Sequence, residues 1–247
     1  MKRTCDDANS WQERAFLPVQ MSLDPMAAFP FERIEATGEQ GLATWEQLKS
    51  AGRGSPVILG DDESVAAIVE DFHPSWPNKR TIAKILAAAD GIEHPKDLIS
   101  HREEEYEPPP IGEWPTDVSM SIGPSAIVDI TTDKPLDKVH IALIPTDDWT
   151  TIPAHLHWGG WNACPGPEFH VAALRSWRDR FGAELVGLGR DTMDLRVTRR
   201  PQTRKAALEL AREQYAYCND IVDQGVETLS ALAACLKADP WWFFWWD

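Results

Sequence analysis

The sequence predicts an α+β fold, in which helices pack on a mostly antiparallel sheet. In the second half of the chain, stretches with helical periodicity alternate with short apolar or β-branched runs, in the order helix, strand, strand, helix, helix, strand. The final run, residues 241–246 (WWFFWW), follows a proline and is too short for a helix. We therefore expect a C-terminal aromatic strand that is buried in the sheet on both of its faces.

The signals for the elements of the second half are local. A helix is predicted to begin at Pro167 and to end at Gly182, because proline favours the first helical turn and glycine the position after the last. Residues 184–188 and 192–197 are short strand-like runs on either side of a turn, which predicts a hairpin. Thr203 is a suitable N-cap for the helix that follows.

The first half contains a second set of signals. The apolar run 56–59 (PVIL) predicts a buried strand, and the acidic residues after it precede a helical pattern. Those acids are typical helix caps, and the loop lacks the glycines and lysine of a phosphate site. The runs 126–130 and 139–144 are separated by a turn-rich segment and predict a second hairpin.

Composition changes along the chain indicate its organisation. Residues 1–24 are polar and aperiodic, which predicts a flexible N-terminal arm. An N-terminal α/β region follows over residues 25–100. Residues 101–116 are rich in proline and glutamate and predict a linker or exposed loop, after which residues 117–247 form a C-terminal α+β domain.

Charge and composition exclude several classes of function. The 247 residues carry a net charge of −15, which repels phosphate backbones, so we expect no nucleic-acid partner. No apolar run reaches the roughly 20 residues that span a bilayer, so we expect no membrane partner. The start of the sequence lacks the apolar core of a signal peptide, and the four cysteines are widely spaced, as expected of reduced thiols in a cytoplasmic protein.

One cluster has the residue types of a zinc site. His155, His157, Cys164 and His170 follow the spacing H-x-H-x6-C-x5-H, and two histidines at this spacing would share one side of an extended strand. Glu168 could then act as a general base on a metal-bound water. The spacing matches no standard zinc motif, so a half-buried strand edge with an ordinary buried thiol is the alternative.

Cys164 is also a candidate nucleophile with His170 as its base, because a thiolate is favoured near the start of a helix. Nucleophile and base must meet in space, which spacing cannot show, and a structural cysteine is the commoner case. Apart from the possible zinc ion, we predict no cofactor.

Aromatic and acidic residues supply candidates for ligand or partner contact. Eight of the twelve tryptophans lie between position 149 and the end of the sequence. The glycine pair 159–160 lies between two of them, and a structural turn is the simpler explanation. The acids near the last helix can equally be helix caps. The candidates are Trp158, Trp161, Asn162, Asp220 and Asp223.

Four motifs together resemble one family. They are GGWNACP, RFGAELVGL, EQYAYCNDIVDQGVETLSALA and WFFWWD, and they resemble the uncharacterised bacterial family DUF4253, a domain of unknown function. The resemblance covers roughly residues 140–247 and implies a domain assignment without an activity. It differs at residues 155–158, where the family is commonly apolar and this chain has HLHW, so it implies no shared role for the two histidines.

Two functions of different classes remain after these exclusions. The favoured hypothesis is a non-catalytic, acidic protein-interaction module of an immunity or regulatory type, with another protein, possibly basic, as its partner. The alternative is a metal-dependent hydrolase whose site lies within residues 155–170. The first requires an exposed acidic or apolar patch, and the second requires the histidines and cysteine to converge in one pocket.

Overall fold

A computed structural model describes residues 25–72, 80–103, 109–118, 121 and 123–247. The predicted N-terminal arm, residues 1–24, lies outside the described residues, as do residues 104–108 of the predicted linker. No helix among the described residues is long and apolar enough to cross a membrane.

Strands and helices alternate along the described chain. The strands are β1 (Glu32–Ala36), β2 (Ser55–Gly60), β3 (Val128–Asp129), β4 (Lys134–Pro135), β5 (Val139–Ile144), β6 (Ala183–Leu188), β7 (Thr192–Val197) and β8 (Trp241–Trp245). The helices are α1 (Pro25–Ala28), α2 (Gly38–Ala51), α3 (Asp62–Phe72), α4 (Ile82–Ala89), α5 (Lys96–Glu103), α6 (Ile152–Leu156), α7 (Pro167–Phe181), α8 (Arg204–Tyr217) and α9 (Leu229–Ala238).

The main sheet has the strand order β1-β5-β2-β6-β7-β8. All neighbouring strands in it are antiparallel except β2 and β6, which are parallel. The fold is therefore α+β with a mostly antiparallel sheet, as predicted. The hairpin of β6 and β7 and the helix from Pro167 to Phe181 are confirmed. The predicted hairpin of 126–130 with 139–144 is wrong, because β3 pairs with β4 in a small separate sheet.

Both faces of the sheet centre are buried, since side chains alternate between two apolar layers. On β2, Val57 and Leu59 pack in the larger layer with α3, α7, α8 and α9, whereas Ile58 packs on the opposite face with Trp45 of α2. Strand β5 is divided in the same way, with Ala142 and Ile144 on the first face and Val139 on the second. Such strands have apolar residues on both faces, which explains the continuous run PVIL.

The aromatic strand β8 is confirmed, but its burial differs from the expectation. β8 pairs with β7 at the edge of the sheet. Trp242 and Phe244 are buried in the larger layer, whereas Phe243 on the other face is 42% exposed. The expectation of burial on both faces is wrong at Phe243, because the second layer is built around α2 and the central strands. The edge is partly capped: the Trp241 N–H donates to Asp239, and the Cys218 thiol donates to the Trp245 carbonyl.

Strands from both sides of the predicted linker belong to one sheet. β2, from the predicted N-terminal region, lies between β5 and β6 of the predicted C-terminal domain. The described part of the linker is held against α9, since Leu229 and Ser230 donate their N–H groups to the carbonyls of Pro110 and Ile111 at 3.0 and 2.8 Å. The predicted regions 25–100 and 117–247 therefore share one sheet.

Candidate functional site: an acidic cleft beside a buried histidine

The His-x-His segment is helical rather than extended. Proline at the start of α6 favours a helical turn there, and His157 ends the helix with a φ of 54°. His157 donates from Nε2 to the Arg80 carbonyl at 2.8 Å. His155 is half-buried and packs edge-on against Phe31, and burial, with the neighbouring His157, lowers its pKa. The prediction that the two imidazoles share one side of a strand is therefore wrong.

Cys164, His170 and Tyr217 meet in the core, and we call them the buried His170 cluster. His170 lies 3.4 Å from the Cys164 sulfur through Nε2 and 2.5 Å from the Tyr217 hydroxyl through Nδ1. Burial lowers the pKa of His170 to about 3, so the imidazole is neutral near pH 7. Burial also raises the pKa of the Tyr217 hydroxyl. His170 and Tyr217 are therefore both neutral near pH 7.

The hydrogen bonds of His170 assign its tautomer. Its imidazole also bonds to the Pro165 backbone, whose carbonyl can only accept. A Cβ added to residue 159 would lie 2.3 Å from the Pro165 oxygen and 2.5 Å from His170 Nε2, so these two atoms are neighbours beneath Gly159. We therefore assign the single proton of the neutral imidazole to Nε2, so that Nδ1 accepts from the Tyr217 hydroxyl. In this tautomer Nε2 has no lone pair with which to deprotonate Cys164.

The four predicted zinc ligands do not converge. Cys164 and His170 meet, whereas His157 bonds to the backbone at Arg80 and Glu168 forms a salt bridge with the Arg80 side chain. Over the described residues, no group of three or more His, Cys, Asp or Glu side chains is arranged to hold a metal ion. The helical turn of α6, which the H-x-H spacing does not encode, directs His155 to Phe31 and His157 to Arg80.

An open cleft of about 550 Å³ lies beside the buried cluster, and we call it the acidic cleft. Its walls come from the end of α3, the loop after α6, the turn between β6 and β7, and the residues after β8. It is lined by Asp71, Gly159, Gly160, Trp161, Asn162, Arg190, Asp191, Trp246 and Asp247. Two of the residues predicted for ligand contact, Trp161 and Asn162, therefore belong to it.

Hydrogen bonds fix the backbone of this cleft. The Trp246 N–H donates to the Asp191 carbonyl at 3.1 Å. The Asp247 N–H donates to the Asp220 carboxylate at 3.0 Å, and the Asn162 side-chain amide donates to the Asp247 carbonyl at 2.8 Å. Asn162 and Asp220, 58 positions apart in the sequence, thus hold the same residue.

Of the other three predicted contact residues, Asp220 holds Asp247 as described above, and Trp158 and Asp223 have core or helix-junction positions. Trp158 is fully buried, donates from Nε1 to the Gly189 carbonyl at 2.8 Å, and packs edge-on against Trp161 with ring centroids 5.0 Å apart. Asp223 accepts from Asn219 at 3.2 Å within the π-helical turn that follows α8. Trp158 therefore supports the cleft from below without lining it.

Among the described residues that line the cleft, carboxylates outnumber cations by three to one. Arg190 forms its salt bridge with Asp71, at 2.8 Å between Nε and Oδ2, and this hydrogen bond raises the pKa of the guanidinium. Asp191 and Asp247 are the remaining acids. The sequence did not identify Asp71, Arg190, Asp191 and Asp247 as site residues. The Gly-Arg-Asp run at 189–191 predicts only a hairpin turn, and no sequence pattern places the other two aspartates beside it.

Gly159 separates the cleft from the buried cluster. It lines the cleft with a φ of 105°, and a Cβ at this position would lie 2.5 Å from His170 Nε2 and 2.3 Å from the Pro165 oxygen. Trp246 also belongs to both, since it lines the cleft and packs against the His170 ring with centroids 5.7 Å apart. The floor of the cleft is therefore set by the packing of the aromatic core.

The family comparison supports the resemblance that the motifs indicated. Residues 140–247 match the model of a family described as a domain of unknown function, DUF4253. No curated protein and no solved structure matches the chain. The matched range includes β5 to β8 but not β2, the strand that lies between β5 and β6. In this protein the matched region thus completes its sheet with a strand from the preceding residues.

Proposed function

We propose that the protein is a non-catalytic interaction module that binds a basic segment of another protein. The acidic cleft carries this proposal, because it is open to solvent and its described lining residues include three carboxylates and one arginine. The net charge of −15 likewise favours a basic partner over an acidic one. Complementary charge increases the rate of encounter with a basic partner and disfavours acidic ones.

The groups that could carry chemistry support a non-catalytic function through their structural roles. Burial keeps His170 neutral, and in the tautomer assigned above its Nε2 carries the proton and cannot act as a base. Burial raises the pKa of Cys218 to about 12, so this thiol is a poor nucleophile. Glu168 is paired with Arg80. The hydrolase alternative required convergence of side chains in one pocket, and no observation in the described residues favours it.

Calorimetric titration with a short arginine–glycine peptide tests the proposal, with a glutamate–glycine peptide of equal length as control. We expect saturable one-to-one binding of the basic peptide and none of the acidic peptide. Mass spectrometry of the basic peptide after prolonged incubation should show it intact. Binding without a defined stoichiometry, no binding, or cleavage of the peptide would contradict the proposal.

A further inference from the structure

We infer that the acidic cleft receives an arginine side chain of the partner, and this inference deepens the interaction function proposed above. The cleft volume, about 550 Å³, lies in the range of roughly 300–1,000 Å³ that is usual for sites of small ligands. It is therefore large enough for a long side chain that enters from a docked segment. Its lining residues decide which kind of side chain that is.

Two acidic residues of the cleft, Asp191 and Asp247, belong to neighbouring backbone segments that hydrogen bonds hold together. The hydrogen bond from the Trp246 N–H to the Asp191 carbonyl places Asp191 beside the residues after β8, and Asp220 and Asn162 hold Asp247. The charge of Arg190 is compensated by Asp71. A cation that enters the cleft therefore meets two further acidic residues, Asp191 and Asp247, whose backbone is already held in place. This order lowers the entropic cost of binding.

The lining favours an organic cation over a metal ion. No set of three His, Cys, Asp or Glu ligands is arranged for a metal within the described residues, and the aspartates are accompanied here by an indole ring. The partly buried Trp161 lines the same cleft as Asp191 and Asp247, whereas Trp246 is only 1% exposed and packs into the aromatic core. An indole face attracts cations, and a planar guanidinium can stack on it while it donates two parallel hydrogen bonds to a carboxylate.

These features select arginine over lysine. The guanidinium is weakly hydrated, flat and always charged, whereas the lysine ammonium is a compact and strongly hydrated point charge. A site that combines carboxylates with aromatic rings uses the shape of the guanidinium as well as its charge. We therefore expect a neutral analogue of the same shape to bind much more weakly, and lysine to bind with intermediate affinity.

The test is an NMR titration of the tryptophan indole N–H signals with three blocked tripeptides, Gly-Arg-Gly, Gly-Lys-Gly and Gly-citrulline-Gly. We expect the arginine peptide to bind most tightly. The double variant Asp191→Asn, Asp247→Asn should weaken its binding about tenfold, because the asparagine oxygens can still accept hydrogen bonds but carry no charge. Both substitutions keep the backbone groups that hold the cleft, so the fold should be retained.

A matched control carries the same change of charge elsewhere. Asp137→Asn with Glu209→Gln alters two exposed acids outside the cleft and should change affinity less than twofold. Arg190→Gln should strengthen arginine binding, because it removes the positive charge that repels the incoming guanidinium. Equal binding of the arginine and citrulline peptides, or equal losses in the cleft and control variants, would overturn the inference.

The outcomes separate this inference from the proposed function. If the longer basic peptide binds one-to-one and the cleft variant binds it unchanged, the interaction function stands and the assignment to the cleft is wrong. If the arginine tripeptide binds in the cleft and the longer peptide does not bind, the site stands and the interaction function is wrong.

Discussion

The buried His170 cluster and the acidic cleft lie on opposite sides of Gly159 and differ in the exposure of their polar groups to solvent. In the cluster, burial holds His170 neutral and raises the pKa of Tyr217. In the cleft, Asp191 and Asp247 lie beside solvent with only one arginine among the lining residues. The comparison shows that residue type alone does not identify a functional site. Burial and the direction of each hydrogen bond decide which groups can interact with a ligand.

Gly159→Ala changes the residue that lies between the cluster and the cleft, and it should cause the largest loss of stability. Alanine would be strained at a φ of 105°, and its Cβ would overlap His170 and the Pro165 carbonyl. We expect the free energy of unfolding to fall by about 2–5 kcal/mol, measured by urea denaturation.

Gly160→Ala is the matched control. Its φ of 90° imposes similar strain, but a Cβ there meets only the Gly166 Cα at 3.9 Å. The expected loss is about 1–3 kcal/mol. Equal losses for the two variants would show that close contact with His170 is not what requires a glycine at position 159.

The second prediction uses pH and a buried carboxylate on the same hairpin as Asp191. Asp194 accepts hydrogen bonds from Ser125 N at 2.9 Å, Ser125 Oγ at 3.0 Å and Ala126 N at 3.2 Å, yet burial raises its pKa to about 6. From pH 6 down to its unfolded pKa of 3.8, the folded protein binds this proton more tightly, so Asp194 adds stability as the pH falls.

His170 has the opposite effect in the same interval. Its pKa is 6.5 when unfolded and about 3 when folded, so the unfolded chain gains a proton first and stability falls as the pH decreases below 6.5. The contributions of the two groups offset each other between pH 6 and pH 4. In Asp194→Asn only the His170 contribution remains of the two, and the variant should lose about 2 kcal/mol more than the parent over this interval.

Urea denaturation of both proteins at pH 4, 5 and 6 measures this difference. A gap between parent and Asp194→Asn that does not change with pH would show that Asp194 titrates as it does in the unfolded chain. Contributions from the other titratable groups cancel, because they are common to both proteins.

The smallest predicted effect concerns the hydrogen bond that sets the His170 tautomer. Tyr217→Phe removes the hydroxyl that donates to Nδ1 and leaves this buried nitrogen without its partner. We expect a loss of about 1–3 kcal/mol in the free energy of unfolding. The control Tyr215→Phe removes an exposed hydroxyl 3.4 Å from Asp223 and should change stability by less than about 0.5 kcal/mol.

The tautomer of His170 can also be observed directly by NMR. In the parent, the Nε2–H pattern should appear in nitrogen-15 spectra of His170, with no change in its protonation between pH 5 and pH 8. A Nδ1–H signal would contradict the assigned donor and restore the interpretation of His170 as a base for Cys164.

The sequence by itself determined the α+β class, the hairpin of β6 and β7, the helix between Pro167 and Gly182, and the family resemblance over residues 140–247. These features depend on periodicity, caps and turns within a few neighbouring residues. Thr203, for example, caps α8 by accepting from the Ala206 N–H, three positions away.

Only the tertiary structure decided the remaining features. β2 lies between β5 and β6, His155 and His157 are separated from Cys164 and His170, and Asn162 meets Asp220 at Asp247. Each of these results from contacts between segments that are far apart in the chain. Spacing in the sequence constrains neighbours, whereas strand order and the meeting of distant side chains are set by how whole layers bury their apolar faces.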